Sequence, residues 1–442
     1  MKEKLSIVPF SMLVIVSVLG VALSGVPGTM PTEGLNSGDI AWMLAATGLV
    51  LLMTPGLALF YGGMVNAKNV ISTMLQSFIC MGIISILWIV VGFSLAFGDS
   101  IGGFIGDPRT YFMFNGVLES KPWPLAATIP LVLFAFFQLK FAVITPALIT
   151  GSFSERIRFT SYILLACLFS MFIYAPIAHW TWHPEGFLFK MGVLDFAGGT
   201  VVHISAGCAA LASAIYLGKR KQEIAHTTPA NIPFVLVGTG LLWFGWFGFN
   251  AGSAVSASGL AASAFATTNT AAAAAGIAWI LFDAFRGKKP SAMGFCIGVV
   301  VGLVAITPAA GFVGISVSIF IGTVAAIISN LAVSWRGKSS LDDTLDVFPC
   351  HGVGGIVGML MTGIFAHQGI NPGNTTGNGL FYGETKLFLI HLTALGIVVA
   401  FSFLGTFVLL KITDLITPLR VSEEEENIGL DVSQHEEKLL VA

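Results

Sequence analysis

The chain has 442 residues, 55% of them hydrophobic and 10% charged, with a formal net charge of −2. A soluble domain carries roughly 25% charged residues, so this composition excludes a water-soluble globule and describes a polytopic membrane protein in a lipid bilayer. No basic domain marks a nucleic-acid partner, and no nucleotide loop, metal cluster or nucleophile–base set marks an enzyme or a cofactor site.

The first segment, MKEKLSIVPFSMLVIVSVLGVALSG, has Lys2 and Lys4 ahead of an apolar centre and Ala22-Leu23-Ser24 before Gly25. It reads as a secretory signal peptide over 1–24. A retained extra span is the alternative, since the apolar part from Ile7 to Leu23 is near the lower length limit for crossing. Eleven apolar stretches follow, at about 39–61, 71–97, 125–150, 159–179, 196–218, 232–251, 261–285, 291–309, 311–335, 349–366 and 385–413. Each is long enough to carry a helix across roughly 30 Å of hydrocarbon. Glycine is enriched, at 51 residues, which permits close helix approach. The five cysteines, Cys80, Cys167, Cys208, Cys296 and Cys350, are odd in number and widely spaced, so neither a disulfide framework nor a metal site is expected.

With the mature N-terminus outside, fourteen Lys and Arg residues fall on one side, from Lys68 to Lys438, and four on the other, Arg109, Lys121, Lys190 and Lys386. The bias places the C-terminal tail in the cytoplasm and the loops 98–124, 180–195 and 367–384 outside. The first five spans can be laid over the next five. Thr47-Gly48-Leu49 answers Thr239-Gly240-Leu241, and Ile144-Thr145-Pro146-Ala147 answers Ile306-Thr307-Pro308-Ala309. Because five is odd, the second copy is inverted, so the expected fold is all-α: a transmembrane domain over 25–416, with 5+5 inverted repeats at about 38–218 and 231–366, an eleventh helix, and a tail over 417–442.

The fifth and tenth spans each carry a histidine, His203 in FAGGTVVHISAG and His351 in FPCHGVGG, preceded by Asp195 and Asp346. Ionisable groups at membrane depth face a bundle interior or a pathway, and the repeat brings these two helices together near the midplane. Two such histidines suggest a conduit for something small and protonatable; the competing reading is a pair of packed, hydrogen-bonded core residues.

The chain resembles the Amt branch of the ammonium transporter family (Amt/Mep/Rh) over nearly its whole mature length. The matching motifs are LDFAGGTVVHI at 194–204, WFGWFGFNAGSA at 243–254, ITPAAGFV at 306–313, DVFPCHGVGGIVG at 346–358 and GLDVSQHEE at 429–437. The resemblance implies ammonium or methylammonium as substrate, and Trp182 and Ser253 as the external recruitment site. Their chemistry suits a small cation with four donors: an aromatic face and an acceptor oxygen. Phe141 and Phe249 match the family's paired rings beneath that site, closing the pore to water. A neutral His203–His351 pair below them can accept from or donate to ammonia without trapping an ion, in a pore where a bare cation would be costly.

Asp195 is expected to support the recruitment site by capping the fifth helix, and Asp346 to cap the tenth. Glu155, Arg156 and Arg158 read as a solvated or paired loop, and Trp180 as a residue of the interfacial belt. Lys140 stands beside Phe141 where the family more usually has an uncharged residue. If it faced the vestibule it would repel the substrate; helical spacing of about 100° allows it to point to an interface instead. The tail reads as a flexible end, and the resemblance implies that it packs beneath a neighbouring subunit of a homotrimer and supports regulation by a PII-class protein. Residence in the plasma membrane (a cell's inner membrane) follows. Two alternatives compete: an ammonium sensor with little flux, against which stands the short stretch of about 25 residues after Thr417, and an Rh-like gas channel, which does not need the cation site.

Overall fold

Apolar residues on almost every face of these segments leave the backbone no partner but itself, so each crosses as a helix. The computed structural model describes residues 2–23, 28–221 and 228–439. Eleven helices form the bundle: α1 Ser37–Met64, α2 Ala67–Phe97, α3 Leu131–Phe153, α4 Phe159–Met191, α5 Gly199–Leu217, α6 Ile232–Ala254, α7 Gly259–Phe285, α8 Ala292–Ile306, α9 Ile315–Lys338, α10 Phe348–Phe365 and α11 Lys386–Ile416. Ten of them are long and apolar enough to cross a membrane, among the described residues. The exception is α8: fifteen residues extend only about 22 Å. The chain then runs on through the buried, non-helical stretch from Thr307 to Val313, where Pro308 interrupts the helical ladder. The expected span over 291–309 is therefore a short helix followed by a buried turn.

Among the described residues, two short strands, β1 Ser100–Ile101 and β2 Ile105–Gly106, make a hairpin on one face of the bundle. The leader forms an apolar helix, Lys2–Ala22, whose described side chains are largely exposed. The expected cleavage point at Ser24–Gly25 lies outside the described residues.

The two halves of the repeat meet along α1 and α6, and glycine makes the contact possible. A Cβ on Gly238 would collide with Phe60 N and Gly56 O, and one on Gly63 with Asn231 O and Val235 N, all backbone atoms. The matched motifs also behave alike. The hydroxyls of Thr47 and Thr239 donate to the carbonyls four residues back, Met43 O and Val235 O, and those of Thr145 and Thr307 do the same to Phe141 O and Leu303 O.

The opposite face carries a charge network, the paired and not the solvated form of the expected loop. Glu155 and Arg156 are 3% and 0% exposed. Arg156 donates to Ser152 O, Asp342 O and Thr344 Oγ1, while Arg220 bridges Glu155 and Asp342. A guanidinium can be buried so because backbone carbonyls and a hydroxyl take its donors while the Asp342 carboxylate lies near as a counter-charge. The tail is ordered as well. Helices α12 Glu423–Ile428 and α13 Leu430–His435 pack against this same chain: Asp431 accepts from Ile71 N and Ser72 N at the start of α2, and Glu426 accepts from Lys221 N and pairs with Arg420. The tail is thus not a loose end: it folds back onto this same chain.

Replacing Gly238 by valine forces the α1–α6 backbones apart, and we expect a loss on the order of 1–3 kcal/mol or failure to assemble. Melting of the detergent-solubilised protein checks this, with Gly240→Val, where an added Cβ meets nothing within 4 Å, as the tolerated control.

Candidate functional site

Near the hairpin face, α3, α4 and α6 enclose a cavity of about 120 Å³ whose lining includes Trp182, Ser253, Phe141, Phe137, Trp123 and Gln138. Trp182, at the end of the helical part of α4, donates its indole N–H to Asp195 O at 3.1 Å. Ser253 donates to Phe249 O at 2.8 Å, which leaves its own oxygen lone pairs free to accept. Phe141, in the cavity wall, stacks on Phe249 with centroids 4.2 Å apart, and Trp182 meets Phe141 edge-on at 5.7 Å. The structure brings together all four residues singled out for this end.

Beyond the rings lies a second cavity of only about 10 Å³, lined by His203 and His351 with Trp246, Phe249 and aliphatic residues including Ile144, Leu148 and Val202. That is close to the least room a single water needs. His203 Nδ1 and His351 Nδ1 are 3.3 Å apart, so one ring donates and the other accepts. His203 Nε2 has no partner among the described residues, and Trp246 stacks on the His203 ring at 5.4 Å while its indole N–H is held by Thr307 Oγ1. Both histidines sit in wide π-helical turns, Gly199–Ile204 and Phe348–Val353. Gly207, just past the first turn, and Gly352, in the second, let the two helices touch, since a Cβ on Gly207 would overlap Gly352 N and Cα.

Each turn begins under a carboxylate. Asp195 accepts from Gly198 N, Gly199 N, Thr200 N and the Thr200 hydroxyl, which uses both its oxygens. Burial pushes its carboxyl up from the ordinary value, and these donors oppose that shift. The expected support role fits this geometry. On the other half the cap is Asp343, which accepts from Val347 N and Phe348 N, and not Asp346 as expected. Asp346 has a positive φ of 57° and pairs with Arg336 at 2.6 Å, so its carboxylate points away from the helix start. Asp195 and Asp343 each precede their histidine by eight residues, LDFAGGTVVH against DDTLDVFPCH, and that shared spacing is the signal sequence reading passed over.

Two further expectations are settled by position. Lys140 does not line the cavity: its ammonium lies over the Phe136 ring, 5.6 Å from the centroid, on the outward stripe of α3. Trp180 is buried, 5% exposed, and donates to Phe104 O, so it is no interfacial belt residue. Gln138 was missed. It lines the cavity, its amide Oε1 has no partner among the described residues, and it lies three residues before Phe141 on the same helix face. The one amide side chain of α3, one turn from a gate residue, was the available signal.

The profile described as Ammonium Transporter Family matches residues 41–439. The chain belongs to the ammonium transporter family. It is 48% identical over 405 residues to a putative ammonium transporter of Methanothermobacter thermautotrophicus, covering 91% of this chain and 98% of that protein. To an ammonium transporter of Bacillus subtilis it is 46% identical, over 91% and 98% of the two chains. Among solved structures it is similar to Candida albicans Mep2, with a TM-score of 0.84 and 37% identity over 89% of this chain and 88% of that one. A sensor Amt protein also matches, with a TM-score of 0.81 and 30% identity over 90% and 98%. Membership accounts for the eleven-helix bundle and its multi-pass placement.

Burial, with Asp346 as a second cause, pushes Asp343 from 3.8 up to about 7, while the two N–H donors pull it down. An acid whose pKa is raised by folding contributes stability that is complete below its ordinary value and is lost as pH rises to the folded value. Stability should therefore fall between pH about 4 and 7 through this group, and Asp343→Asn, which cannot ionise, should flatten that part of a melting-temperature profile against pH.

Proposed function

We propose that this protein carries ammonium across the plasma membrane, taking it as the ion at the outer cavity and passing it inward as ammonia along the histidine pair. The observation that carries this reading is the change in chemistry across the Phe141–Phe249 stack. On one side stand aromatic faces and unclaimed acceptor oxygens; on the other is an apolar slot with room for about one small molecule. An ammonium ion in the outer cavity gains a cation–π contact with Trp182, on the order of 0.5–2 kcal/mol, and acceptors at Ser253 Oγ and Gln138 Oε1. In the slot the same ion would lose its hydration with few groups to replace it, at a cost of several kcal/mol. NH₄⁺ therefore hands one proton at the rings to a water of the outer cavity, which becomes hydronium, and NH₃ goes on. His203 and His351 offer it one acceptor and one donor without a fixed charge.

The fourteen-to-four distribution of basic residues supports an orientation with the outer cavity outside and the tail in the cytoplasm. Similarity to the family supports a homotrimer with one pore per subunit and a tail open to a PII-class protein; the basic start and the small residues before Gly25 support cleavage of the leader. The intact cation site favours the Amt branch over a gas channel of the Rh type.

The test is the transient current of purified protein in proteoliposomes on a supported membrane, pulsed with ammonium at two protein densities. Translocation gives a current that decays faster at the higher density, and its existence means that the proton follows the ammonia inward. A decay indifferent to density means binding without flux, which is sensor behaviour and overturns the proposal. Gln138→Leu should raise the half-saturating ammonium concentration on the order of fivefold, the loss of one acceptor, with the maximal current little changed.

A further inference from the structure

The eleventh helix, which lies outside the repeat, carries a buried histidine that the pore does not use. His391 on α11 is 0% exposed and both of its ring nitrogens are engaged. Nδ1 lies 2.8 Å from Met359 O, and Leu194 N lies 3.1 Å from Nε2. A carbonyl can only accept, so Nδ1 carries the hydrogen and Nε2 presents the lone pair that takes the Leu194 N–H. The ring is therefore held as one neutral tautomer. It ties α10, eight residues beyond His351, to the irregular segment that leads into α5.

Among the bonds that fix this segment, the one at Leu194 N is made by this ring. Leu194 is 9% exposed and lies between helices, so its N–H would be a buried orphan without His391. The next residue is Asp195, whose carbonyl receives the Trp182 indole and whose carboxylate caps the turn leading to His203. The surroundings are built for the contact. Gly363 on α10 lets α11 come close, since an added Cβ would lie 3.2 Å from Phe388 Cα and 3.4 Å from His391 Cβ. Leu194, Phe312, Ala366 and Leu387 pack as a small apolar cluster around it. Thr376 adds a second tie by donating to Gly192 O.

We infer that His391 is a positioning residue for the external cation site: through Leu194 N–H it sets the backbone of Asp195, and so the place of the Trp182 ring. This inference rests on the reading of Trp182 as part of that site. Loss of the Leu194 bond should loosen the ring and weaken recruitment of ammonium while leaving the pore below intact.

Two amides separate the two halves of the strut. In His391→Gln the amide oxygen stands near the place of Nε2 and can still accept from Leu194; in His391→Asn the shorter amide stands near Nδ1 and reaches only Met359. Ammonium-evoked currents of the full-length protein in proteoliposomes are measured over a concentration series, with Trp182→Leu as reference. We expect His391→Asn to raise the half-saturating concentration on the order of fivefold with maximal current within about twofold, and His391→Gln to stay within about twofold of the unsubstituted protein. Equal half-saturation in all three, or a fall in maximal current alone, overturns the inference. If Trp182→Leu leaves half-saturation unchanged, the site reading itself fails, whatever His391 does. Hydrogen exchange on the unsubstituted protein needs no variant: the Leu194 amide should exchange slowly, and fast exchange there overturns the strut.

Discussion

Two carboxylates hold the arrangement on which the pore depends. A helix that begins inside a protein leaves its first N–H groups without partners, and each of the two helices that carry the histidines begins so. Asp195 closes one and Asp343 the other, each eight residues before its histidine. Because the caps are equivalent in the two halves, His203 and His351 arrive at the same depth from opposite directions and meet at 3.3 Å. Glycines at the crossing, Gly207 and Gly352 between α5 and α10 and Gly56 and Gly238 between α1 and α6, allow the approach. Remove either cap and the histidine beyond it loses its register.

That geometry is the basis of the proposed division of labour along the path. The outer cavity has acceptors with nothing to accept, Gln138 Oε1 and Ser253 Oγ, beside the face of Trp182; such groups favour a cation. The inner slot has two imidazoles that satisfy one another and a wall of apolar atoms; such groups favour a neutral molecule of a few ångströms. The stacked rings between them are the point at which one solvent replaces the other. Lys140, the one charge near the gate in sequence, is spent on the outer surface of α3, where its stem runs beside Phe136.

Much of this was legible before any coordinates. Span lengths, the basic-residue bias and the paired Thr-Gly-Leu and Ile-Thr-Pro-Ala motifs carry the bundle and its repeat, because membrane helices answer to hydrophobic length alone. The long motifs placed Trp182, Ser253, Phe141, Phe249, His203 and His351, which the structure gathers into one path. What stayed hidden were partners made by tertiary contact. Arg156 looks solvated beside Glu155 until the chain returns with Asp342 and Thr344 to bury it. Asp346 looked like a cap because it is nearer the helix start, and only its backbone, with φ of 57°, turns it towards Arg336. His391 lies in a plain apolar run whose neighbours Met359 and Leu194 are remote in sequence. Trp180 fits the rule for interfacial tryptophans and is nonetheless folded under the hairpin loop.

The central claim is that a hydrated or bare cation cannot pass the slot and that only a molecule able to shed a proton can. Potassium matches ammonium in charge and approximately in size but has no proton to lose. The measurement is therefore the current evoked by a potassium pulse on the unsubstituted protein in proteoliposomes, beside an equal ammonium pulse on the same membrane. The account predicts a current for ammonium and none for potassium. A potassium current of comparable size would mean that the slot passes ions intact, and the dehydrated histidine path would be wrong.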